Sequence, residues 1–167
     1  MKKLLFLFAF VSIGTWLTAQ DFEVPKRYKL EKAEDYKKYE PKVLECINWI
    51  LNTPINEDKK KRQDANAFLM KWLEGSPSVT IEVNVEIVSF MDSSPDLLMI
   101  FFAGWTRHVL EGGEKDDMLA GNMAGLEAVM NFYEKNRKKM SKDKDVEKYI
   151  KMKEKGKLES FIEKKLG

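Results

Sequence analysis

Six consecutive apolar residues, Leu97-Leu98-Met99-Ile100-Phe101-Phe102, restrict the fold of this chain more than any other feature. They follow Ser94-Pro95-Asp96, a helix start in which Ser94 suits the N-cap, Pro95 the first helical position and Asp96 the positive end of the dipole. A helix that is apolar all round has no face to give to water and belongs in the centre of a domain. The pattern continues through Ala103, Gly104, Trp105 and Val109 and stops at Gly112-Gly113. The next helical stretch, 116–138, carries the small residues Ala120, Gly121, Ala124, Gly125 and Ala128. Each glycine inside a helix costs about 1 kcal/mol relative to alanine, which close approach of a second backbone offsets. The crossing is expected at Ala103-Gly104.

The remaining periodicity is also helical. From Asp35 the pattern turns helical, Pro41 suits a first turn, and Val43, Leu44, Ile47, Ile50 and Leu51 form one apolar stripe ended by Thr53-Pro54. Asn56 is the expected N-cap of a helix over 57–74, with Ala65, Phe68, Leu69, Trp72 and Leu73 facing inward and Gly75 and Pro77 stopping it. Two shorter amphipathic pieces, 144–155 and 157–166, break at Gly156. Between 79 and 87, valine and isoleucine alternate strictly with polar residues, which is a half-buried strand pattern. No second strand candidate exists to pair with it within the chain. It therefore reads as an extended connector near 78–84, with a short helix over 84–91, or as a strand paired across a dimer. The fold class that follows is all-α: antiparallel helical hairpins, 41–51 with 57–74, 95–111 with 116–138, and 144–155 with 157–166, stacked in a tetratricopeptide-like array or an irregular bundle.

Residues 1–20 have the three parts of a cleavable secretory signal: Lys2 and Lys3, the apolar run from Leu4 to Leu17, and the small-residue site Thr18-Ala19-Gln20. Residues 21–34 read as an extended lead-in and 35–167 as one helical domain. Export implies a periplasmic or secreted location, with no transmembrane anchor after cleavage. Without the two signal lysines, the mature chain carries 27 basic and 27 acidic side chains and is formally neutral. Charge is unevenly placed within it, since residues 135–167 hold 13 basic against 6 acidic. Such a basic segment meets an anionic partner or docks on the acidic body of its own domain. The single cysteine, Cys46, excludes an intramolecular disulfide and reads as a small buried hydrophobe.

Chemistry-bearing patterns are sparse. One histidine and one cysteine cannot build a common zinc site, no glycine-rich phosphate loop follows a strand, and no metal or cofactor is expected. His108 is the only side chain available to a histidine-dependent nucleophile, and Glu111 at i+3 is its expected carboxylate partner. Export and interleaved acids argue against nucleic acid as the target of Lys59-Lys60-Lys61-Arg62 and Arg137-Lys138-Lys139.

The segments Cys46–Leu51, Asn66–Ser76, Ala103–Leu110 and Gly121–Asn136, together with the signal, resemble small exported bacterial proteins of tetratricopeptide-like helical-hairpin architecture. The resemblance implies a fold and transfers no catalytic residue. The expectation is a non-enzymatic exported protein that binds another protein or an envelope component at a groove containing Trp49, Trp105, Arg107, His108 and Asn122. The alternatives are a small carboxylate-dependent hydrolase and a structural homo-oligomer subunit.

Overall fold

The computed structural model describes residues 22–167. The signal peptide read at 1–20 lies outside the described residues. Six α-helices follow in order: α1 (Ala33–Asn52), α2 (Lys59–Leu73), α3 (Asp96–Leu110), α4 (Met118–Asn136), α5 (Lys144–Glu154) and α6 (Leu158–Leu166). A single 3-10 turn, Ser89–Asp92, precedes α3, and no strand occurs among the described residues. None of these helices is long and apolar enough to cross a membrane.

The α3–α4 contact is the most extensive in the molecule and is antiparallel, since Phe101 lies against Gly125 and Trp105 against Gly121. The backbones meet where the small residues predict. A Cβ placed on Gly104 would run into Ala128, sit 2.7 Å from the Ala124 carbonyl oxygen and 3.2 Å from the Gly125 Cα. No residue from Leu97 to Leu110 is exposed, as the absence of a polar stripe requires. The hub, however, is α4 rather than α3, because α4 packs on α1, α3, α5 and α6. Small residues line its α3 side, while Phe132 and Tyr133 fill other parts of its surface.

Helix α1 corrects two expectations. It begins at Ala33, inside the segment read as a lead-in, and Pro41 stands in its interior rather than its first turn. An interior proline removes a backbone donor and costs about 3 kcal/mol. Pro41 is exposed, so its ring meets solvent, and the buried stripe Val43, Cys46, Ile47, Ile50 and Leu51 offsets the loss. The true start is held by the Asp35 carboxylate, which accepts the amides of Glu31 and Lys32 at 3.1 Å each. Those bonds hold Asp35 below the ordinary carboxylate range.

The α1–α2 hairpin is closed by polar atoms that reach across it. The Trp72 indole N–H donates to the Tyr36 carbonyl at 2.9 Å, and the buried Cys46 thiol to the Ala65 carbonyl at 3.4 Å. Burial pushes the Cys46 thiol up to about 12, so it is an inert packing residue. At the other end, Arg62 donates to the carbonyls of Ile50, Thr53 and Pro54, the C-terminal end of α1 where a cation suits the dipole. The N-cap of α2 is Asp58, not Asn56: its carboxylate accepts the Lys61 amide at 3.2 Å, with φ at 41°. Aspartate is among the few residues that tolerate that left-handed conformation.

Asp143 ties the middle of the chain to its end. It accepts the Ser93 hydroxyl at 2.7 Å and the amides of Asp145 and Val146 at 3.0 Å each, capping α5 while holding the turn before α3. Burial works to raise its pKa, yet these bonds and one from Ser94 outweigh it and hold the carboxyl below the usual range. Ser94 is thus engaged with Asp143, and Pro95, not Ser94, occupies the N-cap of α3, without a side-chain cap.

Two outcomes are expected. Gly104→Ala, read by chemical denaturation, lowers stability by about 2–3 kcal/mol, because neither helix can yield to a Cβ at the crossing. Asp143→Asn lowers stability at neutral pH by about 1 kcal/mol. The native Asp143 carboxyl titrates below its unfolded counterpart, so its contribution is present above the unfolded pKa and fades as pH falls through the native one. The difference between wild type and Asp143→Asn therefore shrinks in acid, which denaturation at a series of pH values measures.

Candidate functional site

Trp49, Trp105, Arg107, His108 and Asn122 do not form one surface. Trp49 is half-buried on α1, with the Lys61 ammonium 5.1 Å and the Arg62 guanidinium 5.4 Å from its ring. The same guanidinium lies 5.6 Å from the Phe132 ring. Trp105, by contrast, packs on Gly121, next to Asn122. Phe132 and Asn122 lie about 15 Å apart along α4 at the usual rise per residue. Trp105 and Asn122 are both 0% exposed, so neither can present a face to a partner, which corrects their place in an open groove.

What the α3–α4 end does hold is a group of buried polar atoms without a partner among the described residues: the Trp105 Nε1, Thr106 Oγ1, His108 Nε2 and Asn122 Oδ1. Asn122 spends its Nδ2 on the Met118 carbonyl at 2.7 Å within its own helix. The His108 ring lies against Gly113, and no ion pair joins it to Glu111 among the described residues. Arg107 is half-buried in the last turn of α3, where its charge suits the dipole. Among the described residues no group of three or more histidine, cysteine, aspartate or glutamate side chains is placed to hold a metal ion.

A second feature lies between α2 and α3. Residues 79–84 have no regular structure, and among the described residues the backbone N–H and C=O groups of Val79 through Val83 make no hydrogen bond. Val79 is buried and Ile81 half-buried, but Val83 is 45% and Val85 68% exposed. The alternation seen in the sequence therefore has one apolar row that lifts off the body toward its C-terminal end. Beside it lies an apolar depression lined by Met70, Leu73, Glu74 and Phe102 together with Val79, Ile81 and Val83. The far end is anchored: the Asn84 side-chain Nδ2 donates to the Lys165 carbonyl at 2.8 Å, and Lys165 pairs with Glu86 at 2.6 Å. Ile87, Val88 and Phe90 then return to the core, and the expected 84–91 helix is reduced to turns and the 3-10 segment.

The third feature is electrostatic. A depression on α5 is lined by Lys142, Lys144, Lys148, Lys151, Lys155 and Lys157 around Met152, with Glu147 at its edge. Glu147 accepts from Tyr133 and pairs with Arg137; burial acts to raise its pKa, but these contacts and the nearby Lys142 hold it below the ordinary range. Two pairs, Lys153–Glu127 at 2.9 Å and Lys165–Glu86 at 2.6 Å, dock the basic C-terminal segment on the rest of the chain.

Of these features, the extended segment was visible in the sequence as strand-like alternation. Met70 and Phe102 as its apolar neighbours were not, because they come from separate helices. Compared with protein families, curated proteins and solved structures, the chain shows no match.

Replacing Asn122 with leucine, close to it in volume, removes an acceptor that has no protein partner. Thermal denaturation of Asn122→Leu is expected to show an unchanged or raised midpoint. A fall of several degrees would mean that the Oδ1 is satisfied in solution.

Proposed function

We propose that this is an exported, non-enzymatic binding protein that takes an extended polypeptide segment alongside residues 79–83. One observation carries the reading: a run of backbone donors and acceptors with no internal partner borders an apolar depression. Strand addition uses such an edge, with main-chain hydrogen bonds supplying affinity and pockets for alternate side chains supplying selectivity. Ile81 and Val83 would lie against every second side chain of the incoming segment, while the exposed Glu82 would favour lysine or arginine on its other face. The helical body supports this role by fixing the edge at both ends, through buried Val79 and through Asn84 on α6. Export rests on the signal-like residues 1–20. A polypeptide partner outside the cytoplasm is the corresponding class of target.

A second reading has one observation of its own. An antiparallel pair of two copies centred on Ile81, within the unbonded residues 79–83, would set Val79 opposite Val83 and Thr80 opposite Glu82, with no like charges facing each other. The protein would then be a homodimer through this edge.

An eight-residue peptide of alternating valine and lysine is the probe. It is expected to bind with micromolar affinity and to perturb the backbone amide resonances of 79–83. Methylating alternate peptide nitrogens, which removes the edge donors, should weaken binding about tenfold, the equivalent of about 1.4 kcal/mol. Binding that survives methylation would sink strand addition. A concentration-independent dimer by light scattering, with no peptide binding, would favour the second reading.

A further inference from the structure

We infer that the lysine-lined depression on α5 is a binding site for clustered phosphate groups, separate from the edge at 79–83. Lys144, Lys148, Lys151 and Lys155 follow one another at intervals of four, three and four residues, which places them in a single narrow row along the helix. The row extends about 16 Å at the usual rise per residue. Lys142 and Lys157, from the loops at either end, close the two ends of the same depression. Its floor includes the half-buried Met152, so the cations stand around an apolar base.

The fold makes little use of these charges. All six lysines are exposed, and none forms an ion pair among the described residues. The Lys148 ammonium lies 5.2 Å from the Phe161 ring, and Lys142 lies near the Glu147 carboxylate. The one acid at the rim, Glu147, is already held by Arg137 and Tyr133. Lys42, Lys60 and Lys71, by contrast, each pair with an acid three or four residues along the same helix or its cap, Glu45, Asp64 and Glu74. The lysine row on α5 also places like charges at spacings where they repel, with Asp145, Glu147 and Glu154 interleaved along the helix. A ligand with several negative charges relieves that repulsion, and a row of separate ammonium groups suits a row of separate phosphates better than one compact anion. The chemistry has two sources, a phosphate chain in solution or the headgroups of an anionic bilayer.

The experiment measures binding of the full chain without residues 1–20 to inorganic polyphosphate and, in parallel, to vesicles of phosphatidylglycerol or of phosphatidylcholine alone. Expected is binding to polyphosphate that falls about fifty-fold when salt is raised fourfold, as for release of counterions from about four phosphates. Lys144→Glu/Lys151→Glu should abolish it, while Lys37→Glu/Lys38→Glu, the same charge change on exposed positions of α1, should leave it within about twofold. Circular dichroism confirms that both variants keep their helices. Binding to phosphatidylglycerol vesicles alone, with the same dependence on Lys144 and Lys151, supports the site and assigns the lipid source. No binding to either probe overturns the proposal, as does equal loss in both double variants, which would mean unspecific attraction to the whole chain.

Discussion

The approach of α3 and α4 at Gly104, Gly125 and Ala128 sets the spacing on which every other packing surface depends. Two helices in such contact exclude side chains from the line between them, so the bulk that each carries must project elsewhere. On α3, Phe101 and Trp105 lean over the glycines of α4. On α4, Phe132 and Tyr133 build other parts of the core, and Tyr133 receives the Asp143 amide. The close crossing therefore makes α4 the helix on which α1, α5 and α6 assemble.

The parts of the chain that do not pack as helices are held by single polar groups at high leverage. Arg62 gathers three carbonyls at the end of α1, Asn136 accepts the Ile55 amide at 2.9 Å, and Asp143 joins the turn before α3 to the start of α5. Each satisfies backbone groups that a helix end or loop would otherwise leave open. The segment 79–83 has no such device along its length and is fixed only through its side chains and its ends. That difference sets it apart as an edge available to a partner.

Much of the helical plan was legible in the sequence. The three hairpins, the stop at Gly112 and the break at Gly156 follow from periodicity and from two glycines with φ at 111° and 63°. The crossing at Gly104 followed from the cost of glycine in a helix, which needs a compensating contact. Pro41 misled because its local preference for a first turn was outweighed by the long-range burial of the α1 stripe. Asn56 was passed over for Asp58, which can also adopt the left-handed conformation that the turn requires. The candidate site was less legible. Trp105 and Asn122 belong to the interior, and indole or amide chemistry alone does not tell an anchor from a core residue. The lysine row is written in the sequence as a four-three-four spacing, yet its closure by Lys142 and Lys157 depends on the loops around α5.

By itself, the sequence determined the helical character, the order of the hairpins and the place where two backbones meet, because these rest on short-range periodicity and on the absence of side chains. It also marked 79–87 as strand-like by its alternation, of which 79–84 is extended while 85–87 turn back. The tertiary structure decided what that segment does with its two faces, since Met70, Leu73 and Phe102 come from helices distant in the chain. It decided likewise which polar groups are buried and which charges stay unneutralised. Those properties depend on which neighbours folding brings within a few ångströms, and periodicity along one segment carries no information about them.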